Sequence, residues 1–168
     1  IEQTLGQLAR IGDRATARLE GAASIRERIQ RLNQLLFDEE GFAGNRAHYG
    51  DFRNSLLNDV VERRLGIPIT LALVFREVAH RAGVDVFGVS FPGHFLLGVH
   101  GGGTGGARDT VLLDPFNGRE EVAEAACRAL LSRQSEGRTR FSAALLEPCT
   151  PRQLVVRMLH NLKRAYVE

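Results

Sequence analysis

Hydrophobic residues recur every three or four positions in three stretches near the start of the chain. This spacing gathers apolar side chains on one face of a helix and therefore predicts amphipathic helices. The three predicted helices cover residues 1–20, 25–36 and 54–65. Ser24 and Glu27 form a capping box for the second helix, and Gly41 is placed to end it. The Gly- and Asn-rich segment after Gly41 predicts a loop.

The next stretch, GIPITLALVFREVAHRAG, is apolar on nearly every side of a helix. A helix of that kind lies inside a domain. Gly66 ends the preceding helix, and Pro68 suits the first turn of the new one because that position needs no backbone N–H. Gly83 is a favourable C-terminal stop. The pattern therefore predicts a buried central helix that begins at Pro68.

The period changes after this central helix. VDVFGVSF, HFLLGVH and TVLLD are short β-prone runs separated by turn residues, which is typical of an antiparallel sheet. Helical spacing resumes at residues 119–132 and 150–166, and Thr150 and Gln153 suit a capping box for the last helix. This order predicts an α+β fold, with the buried helix against a small sheet and extra helices at both ends.

Length and composition limit the number of domains and the classes of partner. A chain of 168 residues, 43% hydrophobic and 25% charged, is typical of a single globular domain. The formal net charge is +2 and no block of like charges occurs, so neither nucleic acid nor a membrane surface is expected as a partner. The chain starts at Ile1 and ends on a predicted helix, so we expect it to be a fragment of a longer protein.

The two cysteines, Cys127 and Cys149, form neither a disulfide framework nor a CxxC motif. This usage is typical of a reducing compartment and predicts a cytoplasmic location. No apolar run is long enough for a transmembrane helix, and the first residues do not resemble a signal peptide.

One histidine and one aspartate occupy positions that suit a catalytic pair. His94 begins the second β-prone run, and Asp114 ends the third. Consecutive strands bring such positions together, so we expect an Asp114 oxygen about 2.6–3.2 Å from the His94 ring. The alternative interpretation is a structural histidine and a turn-forming aspartate in front of Pro and Asn-Gly.

Other patterns suggest further sites less strongly. GGGTGGAR lacks the Gly-Lys-Ser/Thr of a P-loop and predicts a hairpin connection. His94 and His100 share a strand face, but with no HExxH motif or cysteine cluster we expect no metal, and nothing indicates a cofactor.

Four polar residues of the predicted third helix have helical spacing: Asn54, Asn58, Glu62 and Arg63. They form either a solvated face or a ligand-binding surface.

Four segments together resemble the SirB-type proteins of the transglutaminase-like superfamily: RNSLLNDVVERRLGIPITLALVFREVAHRAG, FPGHFLLGV, LLDPFNG and TPRQLVVRMLHNLKRAY. The resemblance implies a transglutaminase/papain-like core, in which a nucleophile starts a buried helix and a His and an Asp lie on adjacent strands. His94 and Asp114 match that His and Asp. Where the superfamily has Gly-x-Cys, this chain has Gly66-Ile67-Pro68, and proline cannot act as a nucleophile.

Three residues remain as possible replacements for the missing nucleophile. Thr70 lies one turn from Pro68, but its hydroxyl is a weak nucleophile without a well-aligned base. Cys127 suits a core position on a helix. Cys149 precedes a helix N-terminus that would lower its pKa, yet it follows the His and Asp in chain order.

The first functional hypothesis is therefore a non-catalytic transglutaminase-like domain that acts as a protein-binding or regulatory scaffold for a protein or peptide partner. The alternative is a hydrolase or transferase that uses His94 and Asp114 without a cysteine at the usual position. The residues predicted to support or line the binding cleft are Asn54, Asn58, Arg63, Pro68, Thr70 and Asn117. A third hypothesis is an assembly role for the last helix, as a homodimer contact or as the junction with a helical array. It requires Val155, Leu159 and Tyr166 to stay exposed.

Overall fold

The computed structural model describes residues 1–101, 110–117, 121–135 and 139–167, and over these ranges the fold is α+β, as predicted. The α-helices are α1 (Glu2–Leu19), α2 (Ile25–Asn33), α3 (Leu57–Arg63), α4 (Pro68–Arg81), α5 (Glu124–Ser135) and α6 (Pro151–Val167). The strands are β1 (Ala43–Gly44), β2 (Leu65–Gly66), β3 (Val86–Val89), β4 (Leu96–His100) and β5 (Thr110–Leu113). Shorter helical segments are a π-helix over Gln34–Glu39 and 3-10 helices over Phe52–Ser55 and Ala143–Leu146.

The predicted central helix is α4, and it is buried along most of its length. It begins at Pro68, and Gly83 follows its C-terminal end with a φ of +71°, a conformation that glycine adopts without steric cost. Helix α1 packs against α4, and strands β3 and β4 also contact it. The side chains of α4 therefore form the centre of the larger hydrophobic core.

The three β-prone runs form an antiparallel sheet in the order β3-β4-β5. Leu97 pairs with Leu113 and Val99 with Val111, and these side chains join the core around α4. Residues on the other face, such as Leu96 and Leu112, pack with α5 in a second, smaller core. The sheet is therefore covered on both faces, by α4 and by α5.

The predicted helix over residues 54–65 is wrong in its extent. The chain forms a 3-10 helix over Phe52–Ser55, becomes extended at Leu56, and only then enters α3. The break allows Asn54 to turn inward, where its side-chain amide donates to the carbonyl groups of His48 and Tyr49. Local hydrogen bonding to the preceding loop therefore outweighs the helical spacing of the apolar residues.

Other boundaries also differ from the predicted ones. The second helix continues as a π-helix before Gly41, which has the expected positive φ of +75°. Strands β1 and β2 form a two-residue parallel pair that the sequence pattern does not predict. Helix α5 begins at Glu124 rather than at 119, and residues 118–120 lie outside the described ranges. The predicted GGGTGGAR connection also lies outside them, except for its first residue.

None of the helices in the described ranges is both long and apolar enough to cross a membrane. The same ranges contain no group of three or more His, Cys, Asp and Glu side chains arranged to hold a metal ion.

Candidate functional site

The His94–Asp114 pair lies at one edge of the three-stranded sheet. His94 precedes β4 in the connection from β3, directly after Gly93, which has a φ of +66°. Asp114 directly follows β5, and the pairing of Leu97 with Leu113 brings the two residues side by side. His94 Nε2 lies 2.8 Å from Asp114 Oδ2, so the predicted hydrogen bond is confirmed. Both side chains are buried.

Three further hydrogen bonds hold the Asp114 carboxylate. Oδ1 accepts from the backbone N–H groups of Phe116 and Asn117, each at 3.0 Å, and Oδ2 accepts from Asn117 Nδ2 at 3.0 Å. Burial works against the charged form, but the hydrogen bond and charge of His94, together with the hydrogen bonds from Asn117, leave the pKa of Asp114 below its usual value of 3.8. Asp114 is therefore an ionised carboxylate at neutral pH and fixes the orientation of the His94 ring.

The turn that carries Asn117 is held from outside by Arg46. Its Nη2 donates to Asn117 Oδ1 at 3.0 Å and to the Phe116 carbonyl oxygen at 3.3 Å. The Arg46 guanidinium also lies 5.1 Å from the centroid of the Phe116 ring. Asn117, predicted as a binding residue, thus positions Asp114, and its role toward a ligand stays a prediction.

A cavity of about 440 Å³ lies beside His94. His94 and Phe95 line it from the sheet, and Ile67, Pro68 and Ile69 line it from the start of α4. The segment before α3 contributes Tyr49 and Ser55, and α6 contributes Arg157, Asn161 and Arg164. The volume falls in the range of about 300–1,000 Å³ that is usual for ligand pockets. The geometry therefore combines a His–Asp pair, a buried helix N-terminus and space for a ligand.

Comparison with known proteins assigns this arrangement to a family. A family model described as the transglutaminase-like superfamily matches residues 2–160. The chain belongs to the transglutaminase-like superfamily.

Curated relatives of this superfamily member come from bacteria and from mammals. A UPF0162 protein of Xylella fastidiosa (strain Temecula1) is 43% identical over 141 residues, covering 80% of this chain and 47% of that protein. A UPF0162 protein of Pseudomonas aeruginosa is 35% identical over 150 residues, covering 89% and 52%. F-box only protein 21 of Homo sapiens is 30% identical over 137 residues, covering 80% and 21%. The chain spans about half the length of these UPF0162 relatives. No solved structure shows a significant match.

Pro68, the residue that the resemblance aligns with the superfamily's nucleophile, is the first residue of α4. Pro68 and His94 line the same cavity. Thr70, two residues further along α4, is fully buried, and its hydroxyl donates to the Asn54 carbonyl oxygen at 2.8 Å and accepts from the Ile67 N–H at 3.1 Å. Its hydroxyl therefore holds the main chain at the start of α4 and is turned away from attack on a ligand.

Neither thiol lies where the superfamily resemblance places a nucleophile. Cys127 is buried in the second core, where burial raises its pKa and the charges of Glu124 and Asp114 raise it further. The expectation that a helix N-terminus lowers the pKa of Cys149 is wrong, because burial of its side chain outweighs the charges of Arg76 and Arg157 and raises the pKa. Both thiols are therefore protonated at neutral pH, which makes them weaker nucleophiles than a free cysteine.

The predicted binding group on the third helix does not assemble at the cavity. Asn54 is fully buried and belongs to the 3-10 helix, so it does not share a helix face with Asn58. Asn58 is exposed on α3, and Arg63 Nη2 donates to Asp51 Oδ2 at 3.2 Å beside a different, shallower cavity. The binding roles of these residues stay predictions, but their positions favour support of the loop before α3.

Sequence reasoning missed the polar side chains that α6 and the loop before α3 bring to the cavity. Arg157, Asn161 and Arg164 follow the i, i+4, i+7 spacing of one helix face, but the same spacing is equally typical of a solvated stripe. Their proximity to His94 depends on how the last helix packs, and local periodicity carries no information about that.

Proposed function

We propose that this domain is a non-catalytic member of the superfamily that binds a polypeptide segment in the cavity beside His94 and acts as a protein-binding or regulatory module. The observation that carries the proposal is that Pro68 and His94 line one cavity. The Pro68 side chain, at the position that the resemblance assigns to the nucleophile, has no proton to give and no lone pair to attack with.

The state of the other candidate nucleophiles supports the proposal. A catalytic base acts on a nucleophile within hydrogen-bond reach, about 2.6–3.2 Å. The Thr70 hydroxyl is committed to main-chain groups, and burial raises the pKa of both cysteine thiols. The superfamily resemblance implies a cleft that accepts polypeptide, and the cavity keeps the space for it.

An acyl-transfer assay tests the non-catalytic part. The 168-residue chain is incubated with a fluorescent primary amine and a glutamine-containing acyl donor, beside a His94→Ala variant. We expect both proteins to give the same background incorporation. Turnover by the unmodified chain that disappears in His94→Ala overturns the proposal.

A nuclear magnetic resonance titration tests the binding part. Pools of random tetrapeptides are added to the isotope-labelled chain while the backbone amides of Ile69 and Gly93, which line the cavity, are followed. We expect at least one pool to shift both resonances saturably. If no pool does so while the spectrum remains that of a folded chain, the cavity is not a polypeptide site.

The intact His94–Asp114 pair favours a second candidate function, a hydrolase in which His94 activates water. Asp114 is ionised and orients the ring, and His94 lines the cavity. Hydrolysis of an activated ester, measured for the unmodified chain and for His94→Ala, separates the two functions. The proposed binding module predicts equal rates, whereas a hydrolase loses its rate with His94.

A further inference from the structure

The cavity beside His94 is lined by positive charge. Arg157 and Arg164 both line it, and the described residues that line it include no Asp or Glu. Tyr49, in the segment before α3, also lines the cavity, and the positive charges of both arginines act to lower the pKa of its hydroxyl. A lining with cations and without carboxylates attracts an anionic ligand.

Arg157 is half-buried without an acidic partner among the described residues. Its Nη1 donates to the Phe91 carbonyl oxygen at 2.7 Å and to Ser90 Oγ at 3.1 Å, and its guanidinium carbon lies 5.9 Å from the Phe95 ring centroid. These neutral contacts fix the orientation of the guanidinium group but leave its charge uncompensated. Burial lowers the pKa of Arg157. Removing a charge from water without pairing it costs free energy.

Two other half-buried arginines, Arg63 and Arg64, have acidic partners. Arg63 lies 3.2 Å from Asp51 and Arg64 lies 2.9 Å from Glu40. Arg157 differs from them because it faces the cavity and its contacts are to a carbonyl oxygen and a hydroxyl. A half-buried cation without an acidic partner at a pocket is the arrangement expected of a site whose ligand brings the negative charge.

The N-terminal end of α4 adds to this field. Ile67, Pro68 and Ile69 line the cavity, and the first backbone N–H groups of a helix have no partner inside the helix. They carry the positive end of the helix dipole, which favours an anion nearby. The same three side chains and Phe95 are apolar, so the part of the ligand next to the anionic group is apolar as well.

We infer that the cavity binds a carboxylate attached to an apolar group, held by Arg157, with the carboxyl terminus of a polypeptide as the fitting source. This inference rests on the proposed function and specifies which part of the polypeptide enters. A carboxylate accepts two parallel hydrogen bonds from a guanidinium, and a terminal residue carries its apolar side chain beside the carboxylate. Acidic side chains within a peptide offer the same carboxylate without an adjacent apolar side chain.

The test compares three peptides in titrations of the labelled 168-residue chain. They are acetyl-Ala-Ala-Leu with a free carboxylate, the same peptide as its C-terminal amide, and acetyl-Ala-Glu-Ala-amide. We expect the free acid to shift the His94 ring and Ile69 amide resonances saturably, with an affinity at least tenfold higher than that of the amide. If the glutamate peptide binds as well as the free acid, the carboxylate is supported and its source is a side chain.

Two variants on the same helix assign the effect to Arg157. Arg157→Gln should reduce the ratio of acid to amide affinity to near one, and Arg157→Lys should retain part of it. Arg152→Gln is the matched control, because Arg152 is exposed on α6 and lies outside the cavity lining, and it should leave the ratio unchanged.

If Arg157→Gln disturbs the packing of α6, raising the salt concentration with the unmodified chain supplies a second measurement. Added salt should weaken binding of the free-acid peptide and leave binding of the amide peptide unchanged.

Three results overturn the inference. They are equal binding of acid and amide to the unmodified chain, the absence of any saturable shift with the acid, and an equal loss of the ratio in Arg152→Gln. The first result leaves polypeptide binding in place and removes only the carboxylate preference. The third leaves the preference in place and removes its assignment to Arg157. If the second result is found while a tetrapeptide pool binds, the proposed function likewise stands. If no tetrapeptide pool binds either, the proposed function and this inference are both removed.

Discussion

At the scale of single residues, Asp114 holds His94 through a network that is complete on the carboxylate side. Its two oxygens accept from His94, from two backbone N–H groups and from the Asn117 amide. The network makes the orientation of His94 a property of the fold that does not depend on a nucleophile. Under the proposed non-catalytic function, the pair therefore still has a structural role.

Replacement of Asp114 by Asn should lower the free energy of unfolding at pH 7 by about 1.5–3 kcal/mol, the usual value for a hydrogen bond to a charged group. Because the folded pKa of Asp114 lies below its usual 3.8, its stabilisation is complete above that pH and is lost as the pH falls through the folded pKa. Urea unfolding at pH 7 and at successively lower pH measures the difference between variant and parent. The difference should shrink in acid, and one that stays constant across the range contradicts the ionised network.

Gly66 sits where the main chain before α4 approaches Thr70. A Cβ added at Gly66 would lie 2.8 Å from Thr70 Oγ1 and 3.1 Å from Val60 Cγ1, and neither neighbour is the end of a flexible side chain. Gly66→Ala should therefore lower the free energy of unfolding by about 1–3 kcal/mol through overpacking. Gly50→Ala is the matched control, because a Cβ there meets nothing within 4 Å. Equal unfolding midpoints for the two variants in urea would show that the approach is not tight.

At the scale of elements, the parts of the fold with strong local signals could be predicted. Pro68 and Gly83 delimit α4 as expected, and the Thr150 and Gln153 capping box forms, with the Gln153 N–H donating to Thr150 Oγ1 at 3.2 Å. The break at Leu56 could not be predicted, because it depends on the Asn54 side chain bonding to a loop of no regular pattern. The wall that α6 adds to the cavity depends on contacts between distant parts of the chain.

Helix α6 forms one wall of the cavity although none of its described residues is fully buried. Helix α4, in contrast, is buried over most of its length. Elements with few buried contacts open locally at lower free energy, so the backbone amides of α6 should exchange hydrogen at least about tenfold faster than those of α4. Hydrogen exchange followed by mass spectrometry measures this. Equal protection of the two helices would show that α6 is covered as well as the core.

At the scale of the whole molecule, the outer side of α6 is apolar and exposed. The exposed fractions are 52% for Val155, 58% for Leu159 and 65% for Tyr166, as the assembly hypothesis requires. The Tyr166 ring stacks on Phe52, itself 39% exposed, at 5.2 Å between centroids. These four residues form what we term the α6 outer surface. Contiguous apolar surface of this kind marks contact sites.

Because the UPF0162 relatives are about twice as long as this chain, we propose that a helical region follows α6 in the full protein.

The 168-residue chain should itself associate through the α6 outer surface. Sedimentation velocity over a range of concentrations should show a reversible homodimer, and the double variant Leu159→Glu, Tyr166→Glu should remain a monomer because charge is placed in the apolar contact. Ala129→Glu, at an exposed position on α5, is the control and should associate as the parent does. A parent chain that remains monomeric at all concentrations contradicts this prediction.

Labelling with a thiol-directed substrate analogue shows whether either cysteine serves the His94 cavity as a nucleophile. Because burial raises the pKa of Cys127 and of Cys149, both should react at pH 7 no faster than free cysteine, and at the same rate in a His94→Ala variant. Mass spectrometry identifies the labelled residue and its rate. Rapid stoichiometric labelling of either cysteine, abolished by His94→Ala, would establish a relocated nucleophile and rule out the proposed non-catalytic function.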